Sequence, residues 1–380
     1  MPTRKALFLA RPNRFMITCM DGGNTLNAFL PNPGRLQELL LPGAVVYLEE
    51  ARGENRRLAY TAVAVERDGR PVVLHTHRAN EVVGRLLQEN AIPGLEGAEV
   101  VRGEVKRGNS RFDFLLRRKR TEILLEVKSC TLFSRHAALF PDAVTTRGRK
   151  HVEELRVLAG EGMRCAVLFL IHSPLPAVFL PEYHVDPEFA ESLYAARENI
   201  SLYPVSVEWR KDLSINLNAV KVLPIPWEAV EGETGDSGAY LLVLELRRKR
   251  VIETGGLGKV AFEKGLYVYV GSAKKGLSAR LQRHRRLRKK PFWHVDYLRA
   301  ETKIHGVFPI RTKDDLECTL AGELRRMCEW EIPGFGSSDC GCPSHLFGFS
   351  TDPLATSAFH NLVLFYRADR LIRKCSIPVR

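Results

Sequence analysis

Between Pro224 and Gly238 the hydrophobic patterning of the chain stops. Pro224 and Pro226 precede the polar run Glu231-Gly232-Glu233-Thr234-Gly235-Asp236-Ser237-Gly238, which carries neither a helical nor a strand period. A single core cannot be threaded through such a break, and 380 residues already exceed the size at which one core keeps growing. The expectation is therefore a series of bodies: residues 1–79, residues 80–222, a linker at 223–237, residues 238–350 and a C-terminal extension at 351–380.

Composition narrows what these bodies do. Hydrophobic residues at 45% and charged residues at 27% suit folded domains with buried cores. The longest apolar stretches, such as Ala166 to Ile171, are far shorter than the roughly 20 residues that a spanning helix needs. The run Ala6 to Ala10 is shorter than a signal-peptide core and is followed by Arg11 and Arg14. A cytoplasmic protein with no membrane partner is expected. Eight cysteines, mostly isolated in apolar surroundings like those of Cys165, read as thiols of a reducing compartment. The net charge of +13, from 57 Lys+Arg against 44 Asp+Glu, favours a polyanionic partner, nucleic acid first.

Residues 1–79 read as short strands at Phe15 to Met20, Asn24 to Leu30, Ala44 to Glu50, Leu58 to Glu66 and Pro71 to His75, with Gly22-Gly23 and Asp68-Gly69 at hairpin positions. Five such strands suggest an OB-like β-barrel, a fold that often presents a face to oligonucleotides. Asn32-Pro33-Gly34-Arg35 is a turn, and Leu36, Leu39 and Leu40 follow at helical spacing. Arg35 reads first as a surface or capping residue, with nucleic-acid binding as the alternative.

The second body alternates helix and strand, which argues for an α/β sandwich around a mixed sheet. Asn80 is expected to cap a helix with the stripe Val82, Val83, Leu86 and Leu87. Strands follow at Val100 to Lys106, Ser110 to Leu116 and Glu122 to Val127. Asp113 is an acid among large apolar neighbours near a strand centre, a place where acids need a partner. Thirteen residues on, Glu126-Val127-Lys128 puts Glu126 and Lys128 on one strand face. Hairpin pairing brings Asp113 alongside both. Asp113, Glu126 and the Val127 carbonyl suit Mg²⁺ or Mn²⁺, while Lys128 suits the attacking water and the charge that develops on phosphate. In isolation the same pattern fits a surface salt-bridge ladder.

Asp113 followed by Glu126-x-Lys128 resembles the core of PD-(D/E)XK nucleases. The surroundings are more specific: Gly108-Asn109-Ser110-Arg111-Phe112-Asp113-Phe114, Glu126-Val127-Lys128-Ser129, the run Leu139 to His151 and Asp186-Pro187-Glu188-Phe189 resemble the sugar fermentation stimulation protein family. Asn32-Pro33-Gly34-Arg35-Leu36, Glu38-Leu39-Leu40 and Pro42-Gly43 resemble that family's N-terminal barrel. The likeness spans about residues 10–210 and implies an OB-like barrel, a nuclease-like α/β domain and association with DNA. It also implies a catalytic role for Asp113, Glu126 and Lys128, with Asp113 and Glu126 as metal ligands. Glu104 takes the place of an extra acid before the core, although it falls on a strand. Arg111 lies in the quoted motif, and Arg147, Lys150 and His151 sit at a helix start where phosphate or water binds, with helix-end solvation as the other reading. The family name itself reflects a second possibility, a non-enzymatic DNA-binding regulator of sugar (maltose) genes.

The third body opens with strands at Ala239 to Leu246 and Leu266 to Val270. From Lys274 to Lys290 it carries nine Lys/Arg residues and no acid. Lys274, Lys275, Arg283 and Arg286 are nucleic-acid-binding candidates, and Arg280, Arg283 and His284 are expected to stack as cations along one helix side. Gly238-Ala239-Tyr240, Tyr269-Val270-Gly271, Arg280, His284 and Glu317 resemble the GIY-YIG nuclease core. With Trp293 to Leu298, Glu317-Cys318 and Phe335 to Cys340 they resemble, over about residues 236–350, a GIY-YIG-related domain of unknown function with a C-terminal α+β fold. The resemblance implies Tyr240, Tyr269 and His284 around water, Arg280 on phosphate and Glu317 as ligand to one divalent metal. Ala239 replaces the motif isoleucine, and the segment between the two tyrosine motifs is long, so DNA binding without cleavage is an equal reading of this domain. Cys340, Cys342 and His345 have Zn²⁺ ligand types, Cys318 being a remoter addition. A structural site wants four close ligands, so loop or buried thiols are expected there instead.

The chain as a whole reads as an α/β multidomain protein that cuts or binds DNA, or RNA by the same chemistry. Its oligomeric state is not legible.

Overall fold

The computed structural model describes residues 3–51 and 57–374. It separates into two compact units: residues 1–227 with 368–380, and residues 228–367. The break between them falls inside the expected linker at 223–237, part of which is a short helix, Trp227–Glu231, with Val230 buried. Among the described residues no helix is long and apolar enough to cross a membrane.

The first unit begins with β1 (Arg4–Asn13), β2 (Met16–Asp21), β3 (Asn24–Phe29), β4 (Val45–Glu50), β5 (Tyr60–Arg67) and β6 (Arg70–Val73). They form one sheet in the order β3-β2-β1-β4-β5-β6, closed into an OB-like barrel by pairing of β3 with β5. Strand β1 is added to the five expected. Its buried Ala6 and Phe8 alternate with the exposed Lys5, Leu7 and Leu9, a period-2 pattern that fits a strand with one wet face. The expected helical spacing at Leu36, Leu39 and Leu40 forms a turn instead. Leu36 has φ 52°, and a left-handed residue stops a helix from propagating. All three leucines are buried all the same.

Next come α1 (Ala79–Gln88), β7 (Ala98–Arg107), β8 (Ser110–Arg118), β9 (Thr121–Cys130), β10 (Leu132–Phe133), β11 (Ala137–Phe140) and α2 (Thr146–Gly160). Then follow β12 (Arg164–Ile171), β13 (Val178–Pro181), α3 (Pro187–Ala196), β14 (Ser201–Ser206) and β15 (Lys221–Val222). The main sheet runs β15-β14-β12-β9-β8-β7, with β9, β12 and β14 parallel and β7, β8 and β9 a meander. Side chains of β9 alternate between two cores. Leu124 packs with Val152 and Leu155 of α2, and Leu125 and Val127 with Val83, Leu86 and Leu87 of α1. The sheet is thus covered on both faces, as its parallel centre requires.

After α4 (Trp227–Glu231), the second unit contains a five-stranded antiparallel sheet. Its strands are β16 (Gly238–Leu246), β19 (Gly265–Ala273), β20 (Lys303–Arg311), β21 (Trp330–Glu331) and β22 (Leu346–Phe349), with β17 (Arg250–Glu253) and β18 (Lys259–Phe262) forming a separate hairpin. That hairpin accounts for the long segment between the two tyrosine motifs, since β16 and β19 still pair directly, Tyr240 opposite Gly271. Helices α5 (Leu277–Arg285) and α6 (His294–Glu301) cover one face; α7 (Glu317–Arg325) and α8 (Ser357–Leu364) cover the other. Residues 351–367 are not a bare extension: Phe359, Val363 and Tyr366 lie in the core of the second unit.

Candidate active site

Regular pairing of β8 with β9 runs from Arg118↔Thr121 to Phe114↔Leu125 and ends there. One residue further on, the strands part and side chains fill the opening. Asp113 Oδ2 accepts the Val127 N–H at 2.7 Å, a bond that would otherwise belong to the strand ladder. Its Oδ1 accepts from Asn80 Nδ2, also at 2.7 Å. On the α2 face, Glu126 Oε1 takes Lys128 Nζ at 2.5 Å and faces His151 Nδ1 at 2.5 Å. Glu126 Oε2 is buried with no hydrogen-bond partner among the described residues.

The electrostatics follow from this crowding. Burial, then the Glu126 charge, pushes the Asp113 carboxyl up to about 6, against the pull of the Val127 and Asn80 hydrogen bonds and the Lys128 charge. Burial would also raise Glu126, but hydrogen bonding to His151 and the charge and hydrogen bond of Lys128 outweigh it and hold Glu126 below the ordinary carboxylate value. Without a bound cation, two carboxylates share one opening with a single lysine. An orphaned, buried carboxylate oxygen is costly, and a hard divalent cation taking oxygen ligands would relieve it. The donor set therefore fits Mg²⁺ or Mn²⁺.

Asn80 does not serve as the expected helix cap, because α1 starts one residue earlier, after the 3₁₀ turn Thr76–Arg78. This frees the amide to reach Asp113. Glu104 does not join the site. At φ 54° its backbone leaves regular strand geometry, and its exposed side chain lies 3.3 Å from Arg111, itself exposed. Of the three residues at the start of α2, only His151 turns inward; Arg147 and Lys150 are exposed, with Lys150 3.6 Å from Glu154. Arg35 lies on the barrel turn.

The Asn80 contact yields a test. Its hydrogen bond favours the ionised form of Asp113, so Asn80→Leu should raise the Asp113 titration midpoint above about 6, read by carboxyl-carbon NMR of the metal-free chain. An unchanged midpoint would remove Asn80 from the site. In both proteins the sign of the linkage is the same. Asp113 binds its proton more tightly folded than at the unfolded value of about 3.9, so its contribution to stability is full below that value and is lost as pH rises through about 6.

In the second unit, Tyr240 and Tyr269 lie on one face with ring centroids 6.2 Å apart. Gly271 allows it: a Cβ there would collide with the Tyr240 hydroxyl and the Tyr269 ring. Tyr240 Oη lies 2.8 Å from His284 Nε2. A cleft of about 620 Å³ opens beside them, lined in part by Tyr269, Lys274, Lys275, Arg280, His294 and Glu317. Arg280 stacks over Trp293 at 4.1 Å and donates to the Ser272 carbonyl at 3.2 Å. Glu317 Oε2 accepts from Ser272 Oγ.

The expected row of stacked cations does not form. His284 is buried and pushed down to about 4, by desolvation first and then by the Lys289 charge, so it is neutral near pH 7. Arg283 is held by Asp296 at 3.0 Å and by the Lys290 carbonyl, and Arg286 lies exposed past the end of α5. Cys318, Cys340, Cys342 and His345 are not scattered loop or buried thiols: they bring one ligand atom each to within 4.8 Å of one another.

Comparison with known proteins matches these parts. The SfsA N-terminal OB domain covers residues 9–74, the Sugar fermentation stimulation protein RE domain residues 77–212, and the Domain of unknown function DUF123 residues 239–364. A sugar fermentation stimulation protein homolog of Methanothermobacter thermautotrophicus is 34% identical over 221 residues, covering 58% of this chain and 92% of that protein. One from Moorella thermoacetica is 40% identical over 202 residues, covering 52% and 87%. The structure of Pyrococcus furiosus SfsA in complex with Ca²⁺ is similar at 27% identity and a TM-score of 0.55, covering 59% of this chain and 96% of that one. With barrel and α/β domain matched over nearly the full length of such relatives, the chain belongs to the sugar fermentation stimulation protein family and carries a DUF123 domain beyond it.

Proposed function

We propose that the chain is a divalent-metal-dependent nuclease acting on DNA, with a PD-(D/E)XK-type centre at Asp113, Glu126 and Lys128. The observation that carries this reading is the buried, unpartnered Oε2 of Glu126 beside Asp113 at the parting of β8 and β9. A surface salt-bridge ladder would leave both acids solvated, whereas here Glu126 is buried. The Ca²⁺ complex of the Pyrococcus furiosus relative supports it, because Ca²⁺ selects the same hard oxygen donors.

Asp113, Glu126 and the Val127 carbonyl would hold Mg²⁺ or Mn²⁺. Once bound, such an ion neutralises charge on phosphate oxygens and acidifies water. The side chains do the remaining work. Asn80 and the Val127 N–H fix the Asp113 carboxylate, His151 and Lys128 fix that of Glu126, and Lys128 offers its remaining protons to the attacking water and to the phosphate oxygens. The barrel and the cleft of the DUF123 domain supply nucleic-acid surface. In that cleft Arg280 and the exposed Lys274 and Lys275 meet phosphate, and Glu317 offers a carboxylate for a second, GIY-YIG-like divalent site.

The test is cleavage of single-stranded, duplex and branched DNA and of RNA with Mg²⁺ or Mn²⁺, comparing wild type with Asp113→Ala. Cleavage that depends on the metal and is lost in the variant is expected, with folding checked by circular dichroism. Cleavage retained in Asp113→Ala would overturn the centre. Salt-dependent binding with no cutting by the wild type under any of these conditions would leave the gene-regulator reading.

A further inference from the structure

Three thiols and an imidazole of the second unit converge from two separate parts of the sequence. Cys318 is the second residue of α7. Cys340 and Cys342 lie in the loop before β22, and His345 immediately precedes that strand. The frame around the histidine is fixed by backbone bonds, since its N–H donates to the Phe335 carbonyl at 2.8 Å and its carbonyl accepts from Val270 at 2.9 Å. No two of the four ligand atoms are more than 4.8 Å apart, and Cys340 Sγ is 3.5 Å from His345 Nε2.

These separations suit one tetrahedral ion. With Zn–S near 2.3 Å and Zn–N near 2.0–2.1 Å, tetrahedral edges are about 3.8 Å between sulfurs and about 3.6 Å from sulfur to nitrogen. Packing gives little alternative reason for the cluster, because Cys318 is exposed, Cys340 and Cys342 are only half-buried, and each is a free thiol. The other ring nitrogen of His345, Nδ1, lies 3.3 Å from Glu317 Oε1. A carboxylate behind a metal-binding histidine is the usual way its ring is oriented and its basicity raised.

We infer that the DUF123 domain carries a structural Zn²⁺ held by Cys318, Cys340, Cys342 and His345. Four protein ligands close the site, so the ion cross-links α7 to the loop rather than activating water. Through His345 it also holds Glu317, whose other oxygen is bound to Ser272 Oγ on the wall of the cleft. The ion thereby fixes a cleft residue from behind, and this holds whether or not either centre cleaves nucleic acid.

Metal analysis of the full chain, purified under reducing conditions without chelator, should find about one zinc per chain. Co²⁺ substitution should give the visible bands of a tetrahedral ion with thiolate charge transfer. Cys342→Ser and His345→Gln should lose the metal, while Cys328→Ser, outside the cluster, should keep it. Glu317→Gln should retain zinc but yield it to a competing chelator about 10–100-fold more readily. Should a variant fail to fold, thiol titration of wild type decides: zinc should protect three cysteines from a disulfide reagent, and chelation should expose them. Zinc well below one per chain with no zinc-dependent protection overturns the inference, as does a disulfide among the three cysteines in freshly isolated protein.

Discussion

Lys128→Ala should lower single-turnover cleavage at saturating Mg²⁺ about 10²–10³-fold, the usual loss when one preorganised charge donor is removed from a site of this kind. The lysine is mostly buried and its ammonium lies 2.5 Å from Glu126 Oε1, so its position is set before substrate arrives. Its effect on metal affinity should run the other way. Taking a positive charge away from Asp113 and Glu126 deepens the negative potential there, so Mn²⁺ should bind as tightly or more tightly in Lys128→Ala, whereas Asp113→Ala should bind it poorly. That divergence separates a group acting on substrate from one that merely holds the site together. Breaking a buried ion pair often costs about 3–5 kcal/mol, but His151 remains on the same Glu126 oxygen, so a smaller loss is expected. Wild-type cleavage rates in Lys128→Ala would remove the lysine from the reaction.

The three residues of this centre are legible because a strand has a strict period of two. An acid in an apolar strand and an acid–lysine pair on the next one declare a shared opening as soon as the hairpin is drawn. Asn80 is not legible. Its contact with Asp113 spans 33 residues, and a polar residue before an apolar stripe looks the same whether it caps the helix or points along it. Glu104 fails for the opposite reason. Counting along the strand places it opposite Asp113, and the flanking pairs Gly103↔Phe114 and Val105↔Phe112 keep that register, but the backbone turns to positive φ at Glu104 itself and its side chain is exposed beside Arg111. His151 stands out in the sequence for its place at a helix start, yet its partner is an acid on the adjacent strand. Charge counting misleads most in α5. The composition of Lys274 to Lys290 is basic throughout, but burial neutralises His284, and Asp296, outside the counted run, engages Arg283. The metal cluster is undervalued by spacing alone because its fourth ligand, Cys318, stands 22 residues before Cys340; only the fold of α7 against the loop completes the set.

These distinctions decide which cations should matter for nucleic acid. Lys274 and Lys275 are exposed at the rim of the cleft and Arg280 stands in its wall over Trp293, whereas Arg283 is held inside by Asp296. Each phosphate neutralised by a protein cation contributes about 0.9 to the slope of log affinity against log salt on duplex DNA, and about 0.7 on single strands. Replacing Lys274, Lys275 and Arg280 together with alanine should flatten that slope by about 2.7 on duplex or about 2.1 on single strands. Affinity near 0.1 M salt should fall about 10–100-fold, with little dependence on sequence. Fluorescence anisotropy across a salt series measures both quantities. Arg283→Ala should instead lower the melting temperature, because it leaves the buried Asp296 with one cation fewer, and should change the slope by less than one phosphate's worth. If the triple variant keeps the wild-type slope while Arg283→Ala loses it, phosphate is gripped at the Trp293–Asp296 side of α5, and the 620 Å³ cleft is not the nucleic-acid surface.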